Sequence, residues 1–514
     1  MSVGGGHNGE RFVALVYAET RRLFRTRGVV ASLVIAVALI LLPGVLLAGL
    51  LALQGPSGPL SGQVVLGPNG EAVKDEFMFV HRPLVGDGTI TARVASVSGL
   101  ITYPPPLNDR IVAGVVPWAK AGIIMKSGLT PGARYVAMMV TGSHGVRLQY
   151  NFTGDVAGLA PNASRESPIW LRLTRSGDTF TGYDSTTGRR WTRVATVHVG
   201  PMPDTVQVGL FVTSPHDLTV SEGASRFTSA TAVFGRIELS GKINGRWASV
   251  DLGAPKGLPR HLQGRAVEVR GRFSVTGSGD IAPLGLGSGW PIERSLMGTF
   301  AGIIAIIAAA TAYAADETHK REGSGGLSGR FARVKALAAQ SLTIAAAGFV
   351  VGGIGAILAV PLGAALLSSS GNTVLPVPPA TELRVILGTA LLMAWASAFA
   401  LGLAWWTRRR VAAQVAGLSL VVVPYVLARI GAVPLGVSRW LLRVTPAAGF
   451  AIQQSLPAYT QALGPKTPQL GYYPLTPWTG LAVAGAYGVA VLGLAAALAY
   501  RADPHADGSP VAAR

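Results

Sequence analysis

The sequence predicts an α-helical polytopic membrane protein, with about six transmembrane helices and an all-β sandwich inserted between the first and second. Three observations lead to it. Only 13% of the 514 residues are charged and the mean hydropathy is +0.41, whereas a soluble domain carries nearer a quarter charged residues. Six apolar runs have no Asp, Glu, Lys, Arg or His near their centres, and their lengths suit a bilayer that takes roughly 20 apolar residues to cross. After the first run, residues 55–294 change abruptly to short segments of alternating character.

The runs are residues 29–53, 296–315, 337–367, 385–406, 411–427 and 478–500. The first follows Arg21, Arg22, Arg25 and Arg27 and is too long for the core of a signal peptide, so it reads as an uncleaved anchor. The fifth is the shortest, and Pro424 interrupts it. Gln340, Gln414 and Pro361 are the few polar or kinking features in the runs, and they read as helix-packing detail.

In a soluble protein a net charge of +19 would suggest nucleic acid. Outside residues 55–294, however, the 20 Lys+Arg against 8 Asp+Glu mostly flank apolar runs. There they read as topology determinants and lipid-headgroup contacts, and no nucleic-acid partner is expected. With the N-terminus inside, 15 Lys+Arg fall in cytoplasmic pieces and five (Arg384, Arg429, Arg439, Arg443 and Lys466) in short external ones. That asymmetry predicts a multi-pass plasma-membrane protein with both termini cytoplasmic and residues 55–294 outside the cell. The spans lack the midplane ionisable groups of an ion-coupled carrier, which favours energy supplied from the aqueous side.

Residues 10–27 place Phe12, Val16, Leu23 and Phe24 against Arg21, Arg22 and Arg25, a basic amphipathic stretch suited to the inner headgroup layer. Asp316-Glu317-Thr318-His319-Lys320-Arg321-Glu322-Gly323 follows the second run, and Arg330, Arg333 and Lys335 lead into the third. Trp405-Trp406-Thr407-Arg408-Arg409-Arg410 precedes the fifth run, and Val421-Val422-Val423-Pro424 lies within it. Leu442-Arg443-Val444-Thr445-Pro446-Ala447-Ala448-Gly449 precedes the last run, which opens with Pro477-Trp478-Thr479-Gly480-Leu481.

In this order, and over about half the chain, these stretches resemble actinobacterial ABC-2 type transporter permease subunits. The resemblance implies an export permease that pairs with itself or with a related permease around a substrate path. It also implies an ABC ATPase subunit docked on the cytoplasmic loop, with Glu317, Lys320, Arg321, Arg330 and Arg333 as the coupling residues. Residues 323–329 depart from the pattern: they are glycine-rich where a short helix with a proline is usual, and glycine disfavours helix. A looser contact is therefore expected.

Residues 55–294 hold 24 Lys+Arg against 17 Asp+Glu. Thr89-Ile90-Thr91-Ala92-Arg93-Val94, Tyr135-Val136-Ala137-Met138-Met139-Val140 and Thr205-Val206-Gln207-Val208-Gly209-Leu210 read as half-buried strands. Trp170 to Trp191 reads as strand, Ser-Gly-Asp hairpin, strand, glycine turn and strand. With Trp118-Ala119-Lys120-Ala121-Gly122-Ile123-Ile124-Met125-Lys126, Tyr183-Asp184-Ser185 and Val208-Gly209-Leu210, this segment resembles concanavalin-A-like, laminin-G-like jelly-roll domains over residues 65–240.

The sequence therefore divides into residues 1–54 (amphipathic segment and first span), 55–294 (extracellular jelly roll) and 295–514 (five-helix remainder of the permease). The permease subunit of an ATP-driven exporter is the leading function. The alternative is a membrane-anchored glycan-binding or sensing protein, with Trp118, Tyr183 and Trp191 as stacking platforms. Without a G-x-x-x-x-G-K-[ST] loop, ATP is assigned to the partner subunit, and no enzyme activity or cofactor is expected in this chain. Paired carboxylates with glycosidase spacing, cysteines and H-E-x-x-H are all missing from the sequence, so no catalytic or metal residue is named.

Overall fold

The computed structural model describes residues 5–55, 64–103, 110–163, 167–218, 226–254, 260, 262–321 and 330–501, without the side chains of 5–11 and 316–330. Two compact units result. A helical unit takes residues 1–62, 286–457 and 465–514, and a β unit takes 63–285 together with 458–464.

In the helical unit α1 (Gly5–Arg25) breaks at Thr26 and α2 (Arg27–Leu53) follows. Then come α3 (Thr299–Arg321), α4 (Arg330–Ser369), α5 (Pro379–Thr407), α6 (Arg410–Gly417), α7 (Val423–Arg429), α8 (Leu435–Val444) and α9 (Pro477–Arg501). Among the described residues six segments are long and apolar enough to cross a membrane: Arg27–Leu53, Ile292–Ala315, Phe331–Ser369, Pro379–Thr407, Arg410–Arg429 and Pro477–Arg501. Their outer sides are also apolar. Leu42, Leu46 and Leu50 of α2, Ile354 and Ile357 of α4, and Val489 and Leu494 of α9 are all exposed. Helices that are hydrophobic on both the packed and the outward side belong in hydrocarbon, and the chain is membrane-associated on that ground.

Small residues set the helix spacing. A Cβ on Gly298 would lie 2.0 Å from the Leu39 carbonyl oxygen, and one on Gly302 would lie 2.6 Å from Ile40. Gly348 and Gly352 bring α4 equally close to Ser397 and Met393 of α5. Spans gain little from excluding lipid, so close backbone approach and dispersion contacts hold them together.

The fifth span is continuous only through a π-helical stretch, Leu418–Val422, between α6 and α7. Proline has no N–H and its ring crowds the carbonyl four residues back. At Pro424 the ladder shifts to i→i+5, with Val423 N–H bonding the Leu418 carbonyl. After α8 the chain turns at Thr445 into a 3-10 helix, Pro446–Gln453, in which all eight residues are buried.

The β unit consists of β1 (Val65–Leu66), β2 (Ala72–Asp75), β3 (Phe77–Thr102), β4 (Ile111–Ala113), β5 (Lys120–Lys126), β6 (Tyr135–Thr141), β7 (Val146–Tyr150), β8 (Gly154–Ala157), β9 (Ile169–Ser176), β10 (Thr179–Ser185), β11 (Thr192–His198), β12 (Thr205–Thr213), β13 (Phe227–Ile243), β14 (Ala248–Leu252), β15 (Arg265–Val269), β16 (Arg272–Gly277) and β17 (Ile281–Pro283). Strand β3 serves two layers. Its first part pairs with β12 and β14, its middle with β9, and β13 runs along most of its length. The continuous order β11-β10-β9-β3-β12-β5-β6-β7-β8 thus folds into a β-sandwich.

Alternate residues of both layers fill the space between them, among them Val80, Ile90, Ala92, Ile123, Met138, Leu171, Phe180 and Leu210. The hairpin read from Ser176-Gly177-Asp178 is present: Ser176 pairs with Thr179, and Gly177 takes φ +59°. One expectation is corrected. Tyr135 to Val140 is buried on both faces, because Tyr135, Ala137 and Met139 join Phe77, Phe79, Ile124 and Phe211 in a second apolar cluster. Its unbroken apolar run, with no polar alternate, is the pattern of a two-sided buried strand.

Candidate functional site

In the helical unit a buried polar network ties α1 to three spans. Residues 11–27 contain one acid, Glu19, and it is 5% exposed. Tyr313 of α3 donates its hydroxyl to Glu19 Oε2 at 2.7 Å, and Gln340 of α4 donates to Oε1 at 3.5 Å. Trp405 of α5 donates its indole N–H to Gln340 Oε1 at 3.0 Å. Arg22, one turn along α1, donates to Glu19 Oε2 and to the Tyr313 carbonyl, each at 3.3 Å. A carboxylate in this setting keeps its solvation only by accepting such bonds.

Leu23 is buried on the same side of α1 as Glu19, while Val13, Tyr17 and Phe24 are exposed. Leu23 and Phe24, grouped by the sequence on one apolar side suited to the headgroup layer, thus part: Leu23 packs inward and Phe24 is exposed. Spaced 13, 17, 24, the exposed apolar side chains lie on one side of α1, beside exposed Arg21.

A second polar cluster lies toward the other end of the spans. Gln453 closes the buried 3-10 helix and donates to Thr299 Oγ1 at 2.9 Å and Thr389 Oγ1 at 3.0 Å. Arg384 donates to the carbonyls of Ile452 and Gln454, and Ser455 N–H donates to Glu293. Glu293, Tyr425, Arg429, Gln453 and Tyr473 line a small cavity there. From Thr299 to Tyr313 along α3 is roughly 21 Å at 1.5 Å per residue, so the two clusters sit near opposite ends of the spans. Gln340 and Gln414 both bond across helices, the latter to Thr311 at 3.1 Å, in keeping with packing roles.

Of the coupling residues the sequence named, Arg333 is half-buried on α4. The side chains of Glu317, Lys320, Arg321 and Arg330, and the loop 323–329, lie outside the described residues. The sequence reading missed Glu19, Tyr313 and Trp405. Glu19 had a signal: an acid three residues before an arginine, in a basic stretch whose other acid is its first residue, Glu10.

In the β unit Trp118 is half-buried, and the His144 ring stacks on it at 4.0 Å, covering one face of the indole. Arg147 and Lys120 lie 5.8 and 5.9 Å from its centroid. Burial and the neighbouring Arg147 push the His144 imidazole below its usual range. Burial alone would raise the Asp155 carboxyl, but hydrogen bonds from Arg147, Gln149 and Thr460 outweigh it and hold it low.

Tyr183 and Trp191 are half-buried on one outward sheet face, and Arg172 lies 3.9 Å over the Trp191 ring. Among the described residues no group of three or more His, Cys, Asp or Glu is arranged to hold a metal ion.

No family model matches the chain, and no curated protein matches it. Among solved structures, a functionally unknown protein from Saccharomyces cerevisiae aligns at 14% identity over 36% of this chain and 85% of its own, with a TM-score of 0.22. Scytalido-glutamic peptidase aligns at 8% identity over 39% of this chain and 98% of its own, with a TM-score of 0.25. A GH43 protein from Bacillus licheniformis aligns at 13% identity over 28% and 26%, with a TM-score of 0.17. At those scores the likenesses carry no argument about this chain.

Proposed function

We propose that this chain is the membrane-spanning permease subunit of an ATP-driven exporter of the ABC-2 type, working as a dimer with a separate ABC ATPase. The observation that carries the reading is the Glu19 network, which fastens the basic helix α1 to α3, α4 and α5 through buried side-chain bonds. Displacing α1 would shift three spans together, as an ATPase docked beside it requires. Exposed apolar side chains along six spans supply the membrane setting. Both termini lie in the cytoplasm on this reading, and the β unit, as a laminin-G-like jelly roll, faces the cell exterior.

The mechanism then needs no chemistry from this chain. ATP binds and is hydrolysed on the partner; the loop after α3 and helix α1 receive the motion; the spans rock and open the path between two permease chains. The test is gentle detergent extraction of the tagged full chain followed by identification of what stays bound. A Walker-motif ATPase in stoichiometric amount is expected, with ATP turnover that falls when Glu19 is replaced by Ala. An extract with no such partner, from cells carrying no neighbouring ATPase gene, would remove the reading.

A further inference from the structure

The outward face of β11-β10-β9-β3-β13 is organised in rows. Strand register sets Arg193, Tyr183, Arg172, Thr91 and Glu238 side by side in one row. The next row holds Thr196, Thr181, Thr174, Thr89 and Ser240, with hydroxyl pairs Thr181–Thr196 at 3.1 Å and Thr89–Thr174 at 3.0 Å. On the other side Trp170 pairs with Arg93 and Ser185, and the Arg236 guanidinium lies 5.8 Å from the Trp170 ring.

Charge on this face is one-sided. Arg193 and Arg236 are exposed, Arg93 and Arg172 are half-buried, and Glu238 is the one acid in these rows; exposed Arg189 and Arg190 lie in the turn between β10 and β11. Among the described residues no carboxylate stands within ion-pair distance of any of the six arginines. Elsewhere in the unit some cations are paired, as at Arg147–Asp155 and Arg226–Asp217, while Arg82, Arg134 and Arg175 donate to backbone carbonyls.

We infer that this face binds an acidic polysaccharide, a chain of sugars bearing carboxylate or phosphate groups. Guanidinium forks match such anions in two-point geometry. The half-buried Tyr183 ring offers flat apolar surface to a sugar face, beside Trp191, one face of which Arg172 already covers. A ladder of hydroxyls beside them donates and accepts toward sugar hydroxyls. The inference rests on the proposed exporter only for the side of the membrane on which the β unit sits.

Binding is measured on the full chain in nanodiscs of zwitterionic lipid, with polygalacturonate, neutral dextran and single-stranded poly-dT as probes. Polygalacturonate is expected to bind in a salt-sensitive manner, dextran not at all, and poly-dT more weakly. The double variant R193E/R236E should weaken polygalacturonate roughly tenfold or more, as two repelling exposed charges replace two attracting ones. R193K/R236K, which keeps the charge and loses the two-point fork, should bind between the parent and R193E/R236E. Unchanged hydrogen exchange in β9 and β10 certifies the fold of each variant.

Equal affinity for dextran, tighter binding of poly-dT, or an undiminished R193E/R236E would each overturn the inference. The chain has no native cysteine, so S176C can be labelled in whole cells with a membrane-impermeant maleimide. Labelling only after permeabilisation would also overturn it. ATPase co-purification enters none of these readouts; the labelling result alone bears on both readings, through the side of the membrane it reports, and the binding results bear on this inference only.

Discussion

The two units bury charge in opposite ways. The β unit buries complete ion pairs: Lys126 Nζ sits 2.7 Å from Asp75 Oδ2, and Lys120 Nζ sits 2.8 Å from Asp280 Oδ1, with both lysines fully enclosed. The two lysines lie six residues apart on one face of β5, and their acids lie in β2 and just before β17, so the pairs clip those short strands over the sandwich. The amines also donate to the Ile281 and Ala133 carbonyls, and Gly132 N–H donates to Asp75. Burial raises the Asp75 carboxyl and lowers the Lys126 amine, while their mutual attraction opposes both shifts.

The helical unit buries Glu19 with a hydroxyl, an amide and one half-buried arginine instead. A lysine among strands has a partner held by the ladder. A carboxylate between helices has donors from three separate side chains instead.

The largest expected effect tests the first half of this contrast. Lys126→Met leaves Asp75 buried without its cation and should cost about 3–5 kcal/mol. Replacing both partners, as K126M with Asp75→Asn, should recover most of the loss. Hydrogen exchange across β5 and β6 in the full chain reads the loss locally, without assuming that both units unfold together. If K126M exchanges like the parent, the pairs are not what holds those strands.

A second prediction separates the units by acid sensitivity. His216 packs edge-on against Phe227 at 5.1 Å, and burial, with help from Lys74, lowers its pKa to about 4. The folded state then takes up a proton less readily than the unfolded chain. The resulting stability is complete above roughly pH 6.5 and is lost as pH falls toward 4, on the order of 3 kcal/mol in all. His216→Phe should flatten that part of the β unit's pH profile. A parent profile already flat from pH 6.5 to 4 would contradict a neutral, half-buried imidazole.

The third prediction concerns the helical unit. Glu19→Ala leaves the Gln340 amide without its acceptor and the Tyr313 hydroxyl with only the residue-19 backbone carbonyl, 3.2 Å away, and should cost about 1–3 kcal/mol, while Glu19→Gln, which keeps a side-chain acceptor for Tyr313, should cost less. Thermal unfolding in detergent, with hydrogen exchange of α1, measures both. Equal loss from Gln and Ala would mean that the charge itself, rather than the hydrogen bonds, matters.

Much of the fold was legible because lipid and sheet each impose a coarse rule on sequence. Charge cannot enter hydrocarbon cheaply, so the six apolar runs stand out, and turns such as Ser176-Gly177-Asp178 fix a hairpin locally. The site was less legible because it depends on register and rotation. Nothing local tells that Tyr313 points at Glu19, 294 residues earlier, or that His144 covers one face of Trp118. Two-sided burial of β6 was written in its unbroken apolar run. The ion pairs beneath it, with partners 51 and 160 residues away, were not.

Pro424 marks the boundary between these cases, and the smallest predicted effect lies there. Its presence announces a local defect, yet the sequence does not say whether the helix kinks or takes up an extra residue; the structure takes the second course, at Leu418–Val422. Pro424→Ala restores an N–H for the Leu420 carbonyl and allows the stretch to tighten to an α-helix. One residue of slack removed turns α6 by about 100° relative to α7. Gln414 would then swing away from Thr311, now 3.1 Å away. Because both ladders satisfy their backbone groups, the global cost should stay below about 1 kcal/mol. Cysteines at positions 311 and 414 of this cysteine-free chain should therefore cross-link with a short reagent in the Pro424 background and lose that cross-link in P424A. Persistence of the cross-link would mean that helix packing, and not the proline, holds the π stretch in place.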